Sequence, residues 1–482
     1  MKEMGVLDAL VRSNEAHFAD SGGFVSPMGI SYVGASKEKL GRAACAAVKR
    51  IHLDARMVQA AQKAGAELTE EFDVDDAVFD AEKGIWTVSS AAAEGGGGKA
   101  AAANKVVRAR VLVIADGATS RLATKLGYCT EPPRGVCTRA FVEAGTHNAN
   151  FDGVCFYPKW SLPGYAGEFF LLFVFALCFF GSAAARTNNA RSSFGVYNVF
   201  AHAPSKTKID QPILSTIQNK NKTKTTAIFR HPNDELNFCY YLIPCGANKS
   251  SGQCGTVDEA DLARLHSEAI ARDPYISAAL GPRAKIERMR AASLRMGSQG
   301  VRATRGDHLL VVGDAAGHID PLTGEGIHTA MMGGKAAAGA IADMAARGDF
   351  SRRSARQYER EWMRLFGHDF FWSRAFAEAI YRCPLLLDAV ASETRRRGDA
   401  MMATWAEVMT CLRPKTHLLR PDVGLPLAAA VLRELFEQKV LGKPDRYALL
   451  PAPAAAAAPP AATATVAVAP AAAAGGGKAA KR

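Results

Sequence analysis

Apolar positions along the chain change period several times, and each change predicts an element. Leu7, Leu10 and Val11 share one helical face near the start. Met57, Val58 and Ala61 repeat that spacing over residues 54–65, where Gly65 predicts the stop. Short strands are predicted at 67–74 and 84–88. Residues 106–115 read as a strand, and the unbroken run Val111, Leu112, Val113, Ile114 predicts cover on both faces. Residues 309–312 have the same character. Between these runs, aromatic- and proline-bearing stretches at 146–168 and 227–245 predict a second, sheet-based domain. Residues 255–299 read as helical, 327–344 as an Ala- and Met-rich helix, and 354–440 as mostly helical with breaks near Pro384 and Pro414.

Two stretches predict no packed structure. Residues 91–103 are Ala and Gly with one Lys and one Glu, the composition of a hairpin tip. Residues 451–482 are Pro, Ala and Gly with almost nothing to bury, which predicts a disordered tail. A third stretch stands apart. Phe169 to Phe180 is apolar and uncharged, yet short of the roughly 20 residues that cross a bilayer. A run rich in Ser, Asn, Thr and Lys follows it to Thr226. The composition changes at both borders, so 168–226 reads as a non-native insertion in the coding sequence.

Charge and cysteine content narrow the class. Of the formal net charge of +12, residues 169–226 supply half: seven Lys or Arg against the single acid Asp210. The rest is mildly basic and has neither an Arg–aromatic stripe nor zinc-finger spacing, which argues against nucleic acid as a partner. The ten cysteines form no CxxC pair, and a chain of 482 residues needs no disulfide staple, so reduced thiols inside a cell are expected. The histidines make no spaced ligand set for a metal.

The chemistry concentrates in two strand-to-helix turns. Gly313-Asp314-Ala315-Ala316-Gly317 follows the run 309–312, and Pro321-Leu322-Thr323-Gly324-Glu325-Gly326 opens the helix beyond it. An acid at the carboxyl end of a strand can accept hydrogen bonds from ribityl hydroxyls of a flavin. Small residues beside it admit a pyrophosphate, and the free N–H groups of a helix start suit phosphate or the electron-rich edge of the ring. Ala115-Asp116-Gly117-Ala118-Thr119-Ser120-Arg121 follows the other buried run, with Ser120 or Thr119 as the helix cap. Arg50 either reaches the flavin edge or pairs with Asp54 across one turn.

These motifs carry a resemblance. Arg50–Asp54 with residues 60–68 (AAQKAGAEL), residues 115–127 and residues 311–330 resemble the geranylgeranyl reductase family. That family lies within the FAD-dependent oxidoreductases that look like para-hydroxybenzoate hydroxylase. The resemblance spans roughly 1–168 and 227–372 and extends to Tyr358 and Trp362 in the run 357–362. It implies an α/β fold: a Rossmann-like FAD-binding domain interrupted by a sheet-based substrate domain, with a helical C-terminal region. The expected boundaries are 1–145 and 300–350 for the FAD-binding parts and 146–299 for the substrate domain. The helices then take 351–450 and the tail 451–482. It further implies FAD as cofactor, a reduced nicotinamide or another electron donor, and an isoprenoid lipid as substrate, with peripheral membrane contact. By match, Asp116 and Gly117 lie near the pyrophosphate, Gly313 and Asp314 at the ribityl chain, and Gly324, Glu325 and Gly326 beside the ring. No residue is assigned to catalysis. The family begins with a strand, a GxGxxG loop and a helix, and no GxGxxG occurs here, so the N-terminal unit is expected to be missing. An aromatic hydroxylase would share both flavin motifs, and a flavin-free product is the remaining alternative.

Overall fold

The computed structural model describes residues 1–35, 45–90, 105–133, 135–157, 222–244 and 259–444. The expected hairpin tip, the apolar run at 169–180, and the tail lie outside them, as do Trp160 and Tyr165. Of the suspected insertion only Lys222–Thr226 is described, as part of a strand that pairs in unbroken register.

In chain order, α1 (Val6–Arg12) leads to β1 (Ala16–Phe18), β2 (Ser21–Val25), β3 (Ser31–Ala35), β4 (Ala46–Val48) and α2 (Arg50–Lys63). Then come β5 (Val74–Asp80), β6 (Ile85–Ser90), β7 (Val106–Ala109), β8 (Leu112–Ile114) and α3 (Arg121–Lys125). The middle of the chain forms β9 (Gly135–Val142), β10 (Gly153–Phe156), β11 (Lys222–Arg230), β12 (Leu236–Pro244), α4 (Glu259–Arg272), α5 (Pro274–Leu280) and β13 (Ile286–Leu294). The chain returns through β14 (Arg305–Gly306), β15 (Leu309–Val311) and α6 (Ile327–Arg347). It ends in α7 (Arg356–Trp362), α8 (His368–Arg382), α9 (Leu385–Arg397), α10 (Asp399–Met409) and α11 (Pro421–Lys439).

This is the expected α/β architecture, a Rossmann-like unit interrupted by a sheet and followed by helices. Its centre is the parallel pair β8–β15, made by segments far apart in sequence, with Leu112 opposite Leu309 and Ile114 opposite Val311. β5, β6 and β7 form an antiparallel sheet that packs Trp86 and Val88 into the same core as Ile114, Leu309 and Val311. The inserted sheet has seven strands in the order β13-β9-β12-β11-β10-β2-β3. One face carries Val154, Phe156, Ile228 and Phe238 and packs on Ala269, Ile276 and Leu280 of α4 and α5. Burial of each large side chain there contributes about 1.5–3 kcal/mol. α5 starts where Asp273 accepts hydrogen bonds from the backbone N–H groups of Tyr275 and Ile276, with Pro274 in the first turn.

Three expectations need correction. Residues 286–294 form β13 rather than helix: an arginine-rich edge strand has no apolar alternation to betray it. Residues 67–73 are irregular, and the strand starts at Val74. Val113 is 40% exposed, so β8 is not covered on both faces. Phe151, Phe156 and Phe238 belong to the core of the sheet domain.

Candidate functional site

The two glycine-bearing turns come together at the carboxyl ends of β8 and β15. The Val312 N–H donates to the Ile114 carbonyl at 2.9 Å, so Ala115-Asp116-Gly117 and Gly313-Asp314 leave neighbouring strands side by side. Gly313 has φ +60° and Gly317 φ +71°, and a Cβ on Gly317 would stand 2.4 Å from the Ser298 backbone. Only glycine permits that turn. Ser120 caps α3 by accepting from the Ala123 N–H at 2.9 Å. Asp116 is exposed beside Gly117, whose φ is +88°. Arg295, which the sequence does not single out, is 1% exposed and donates to the carbonyls of Ala118, Glu131 and Gln299, tying the Asp116 turn to the Ser298 loop.

Asp314 is partly buried, and burial raises its carboxyl above the usual range while Arg50 opposes the shift. No protein donor bonds its side chain among the described residues. Gly326 closes over it: a Cβ there would lie 3.2 Å from Asp314 Oδ1. Gly326 is also the start of α6, where no side chain caps the helix and no acid lies in the first turn. The first N–H groups of this 21-residue helix are therefore free donors. Arg50 pairs with Asp54 at 2.9 Å, and its charge acts on Asp314.

Asp320 builds the loop between Gly317 and α6. Its Oδ1 accepts from the N–H groups of Leu322 (2.8 Å) and Thr323 (3.1 Å). Its Oδ2 bonds Ser373 Oγ at 2.9 Å and the Lys415 ammonium at 3.1 Å. Lys415 and Asp320 are both fully buried, and Asp369 Oδ2 (3.3 Å) and Cys411 Sγ (3.1 Å) complete the cage. Burial disfavours the ammonium, but Asp320, Cys411 and Asp369 outweigh it and hold Lys415 above its ordinary range. Glu325 is pushed up to about 7 by burial and the Asp320 charge, against Lys415. Its side chain is 49% exposed, so solvent moderates this shift. Opposite, the face of the seven-stranded sheet turned away from α4 and α5 carries Cys155, whose thiol is pushed up to about 12 by burial and then by the Glu325 charge. We call the region between the two turns, the Gly324-Glu325-Gly326 loop and that sheet face the crevice. The turns and the loop offer an unpartnered carboxylate, free helix-start donors and close-packed glycines.

No family model matches the chain. Solved structures share its fold. The flavoprotein/dehydrogenase of Cytophaga hutchinsonii superposes with a TM-score of 0.52 at 14% identity, over 90% of this chain and 86% of that one. The geranylgeranyl bacteriochlorophyll reductase-like protein of Thermoplasma acidophilum does so with a TM-score of 0.51 at 14% identity, over 90% and 84%. The fold is that of the FAD-dependent oxidoreductases. Among curated proteins, a digeranylgeranylglycerophospholipid reductase of Methanothermobacter thermautotrophicus is 32% identical over 135 residues, 28% of this chain and 32% of that protein. Conditioned medium factor receptor 1 of Dictyostelium discoideum is 39% identical over 450 residues, 92% of this chain and 73% of that protein. The chain belongs to the family of that protein.

Proposed function

We propose that the chain is an FAD-dependent oxidoreductase that reduces double bonds of an isoprenoid (geranylgeranyl) group, drawing electrons from a reduced nicotinamide or another donor. The observation that carries the cofactor is Asp314: a desolvated carboxylate without a protein donor, beside the uncapped start of α6 and under a glycine that leaves no room for a side chain. These groups fit a flavin. Asp314 would accept from ribityl hydroxyls, Asp116 and Gly117 would border the pyrophosphate, and Gly313 would let the turn approach the ribityl chain. Gly324, Glu325 and Gly326 would hold the ring, with the free α6 N–H groups as donors to it. Arg50 stands at the rim and biases the charge of Asp314. When bound, FAD supplies the hydride chemistry, and the protein supplies position and electrostatics. The reductase branch is supported by the partial identity to a digeranylgeranylglycerophospholipid reductase and by the Pro321–Ile327 run.

The test is direct. The purified chain, given FAD and a chemical reductant, is incubated with geranylgeranyl compounds. The expected products are heavier by two hydrogens for each double bond reduced. Addition of one oxygen to an aromatic substrate would assign the hydroxylase reaction instead. Protein that holds FAD yet changes no isoprenoid would remove the reductase reading.

A second reading, reception of a conditioned medium factor, is favoured by 39% identity over most of the chain to a protein named as that receptor. It predicts binding of that factor by the chain, with an affinity that Asp314→Ala leaves unchanged. An oxidoreductase predicts flavin retention that the same substitution weakens.

A further inference from the structure

At one end of the seven-stranded sheet, next to the crevice, three cations converge on a single aromatic ring. Lys49 Nζ lies 5.6 Å from the centroid of Phe141, the Arg139 guanidinium 5.5 Å and the Arg288 guanidinium 4.7 Å. One carboxylate, Glu235, pairs with both Lys49 and Arg288. No acid pairs with Arg139 among the described residues. Instead Arg290 stands directly opposite it on β13, and like charges in that register destabilise a sheet. The backbone is shaped for this arrangement. β13 carries a bulge between Glu287 and Arg290, and within it Arg288 adopts φ +51°, a conformation that costs a non-glycine residue energy. Bulges of this kind re-aim side chains, and here the re-aimed guanidinium is the one closest to Phe141. Beneath the cluster His231 is 3% exposed, its ring 5.7 Å from Phe141, and neither ring nitrogen has a hydrogen-bond partner. A strained backbone, unneutralised cations and a buried histidine without partners are all unfavourable to folding by themselves, and an anion would offset each of them.

We infer that Lys49, Arg139 and Arg288, around Phe141, bind the phosphoryl end of the substrate, a diphosphate or a phosphate ester on an isoprenoid. Lys49 immediately precedes Arg50, whose charge reaches Asp314, so the anion site adjoins the proposed flavin crevice. Arg139 lies on the same sheet face as Cys239, Ala227 and Cys155 in one cross-strand row, which leads from the cations toward the Glu325 loop. This deepens the isoprenoid reading and rests on it for the apolar part alone, since the anion site stands on its own residues.

The experiment uses the full chain. Inorganic pyrophosphate is titrated by calorimetry with wild type, Arg139→Gln, Lys49→Gln, Arg139→Lys and Glu235→Gln, with thermal melts of each. Removing either cation is expected to weaken binding roughly tenfold, one charge-assisted hydrogen bond's worth. Arg139→Lys should keep most of the affinity, and Glu235→Gln should tighten binding because the competing carboxylate is gone. A structural role would not give that last sign. Geranylgeranyl diphosphate should bind more tightly than geranylgeraniol in wild type, by a margin that Arg139→Gln narrows roughly tenfold. Vesicles of phosphatidic acid then separate a lipid head group from a free diphosphate as the source of the phosphoryl group. Pyrophosphate that does not bind, or binds all variants alike, overturns the inference. Because pyrophosphate needs no flavin, the two failures are separable: binding without double-bond reduction sinks only the reductase reading, and reduction indifferent to Arg139 sinks only this one.

Discussion

At the scale of single residues, the site is governed by what burial does to polar atoms. Asp314 has given up part of its water without gaining a protein donor, so a ligand hydroxyl has the most to offer there. Asp314→Ala should weaken FAD retention by about 1.5–3 kcal/mol, roughly 10- to 150-fold in Kd, measured by flavin fluorescence during dialysis. Equal retention by both proteins would show that the carboxylate does not face the cofactor. One histidine away from the site shows the same desolvation. His266 is 2% exposed, and burial alone lowers it from 6.5 to about 4. The unfolded chain then holds that proton more tightly than the folded one. Stability is full above about pH 6.5 and falls as pH drops toward 4, by up to about 1.4 kcal/mol per unit for this one group. Thermal melts across that window should show a steeper loss for wild type than for His266→Phe, and parallel curves would contradict the assignment. Of the residue-level features, the Gly313-Asp314 and Asp116-Gly117 turns are legible in the sequence, because a glycine at the end of an apolar strand marks a backbone bend that side chains disfavour. Arg295, Lys415 and His231 are not. A buried charge declares itself only through partners supplied by distant segments, and one sequence does not reveal which segments meet.

At the scale of elements, legibility follows periodicity. α6 and the β8 and β15 runs stand out in the sequence, because helical spacing or continuous apolar residues mark them. β13 does not, because its Arg-rich, bulged edge has no two-residue alternation, and that irregularity is the same feature that points Arg288 at Phe141. Two connections hold the Gly317-to-α6 loop in place, and each makes a prediction. Gly317 is in the left-handed region with Ser298 backbone 2.4 Å from where a Cβ would sit. Gly317→Ala should therefore cost more than about 2 kcal/mol in urea denaturation, since the turn adds strain to the clash. The second connection is the Lys415–Asp320 pair, which couples the helical C-terminal region to the loop. Lys415→Met leaves Asp320 buried without its cation and should cost about 3–5 kcal/mol. Adding Asp320→Asn should recover a large part of that loss, because the uncompensated charge rather than the missing contact dominates it. A double variant as unstable as the sum of the two single variants would argue that the pair contributes no coupling.

At the scale of the whole molecule, the fold class is legible because two turns of one kind, far apart in the chain, imply one nucleotide domain with another inserted between them. The crevice itself is not, since it exists only where the inserted sheet faces the Gly324-Glu325-Gly326 loop. That geometry predicts a thermodynamic signature. A flavin held by the β8 and β15 turns and the start of α6 would touch segments far apart in the sequence, and so would bind the folded chain alone. Its free energy of binding then adds to the stability of the whole, by about 2.7 kcal/mol at a free concentration one hundred times Kd. FAD should accordingly raise the midpoint of thermal unfolding and continue to raise it with the logarithm of its concentration. Asp314→Ala should need a higher FAD concentration for the same rise, displaced by the ratio of the two Kd values. Pyrophosphate should add an independent increment that Arg139→Gln shifts to roughly tenfold higher concentration and Asp314→Ala leaves intact. A midpoint indifferent to FAD at concentrations that saturate other flavoproteins would mean that the crevice does not hold a flavin in this chain.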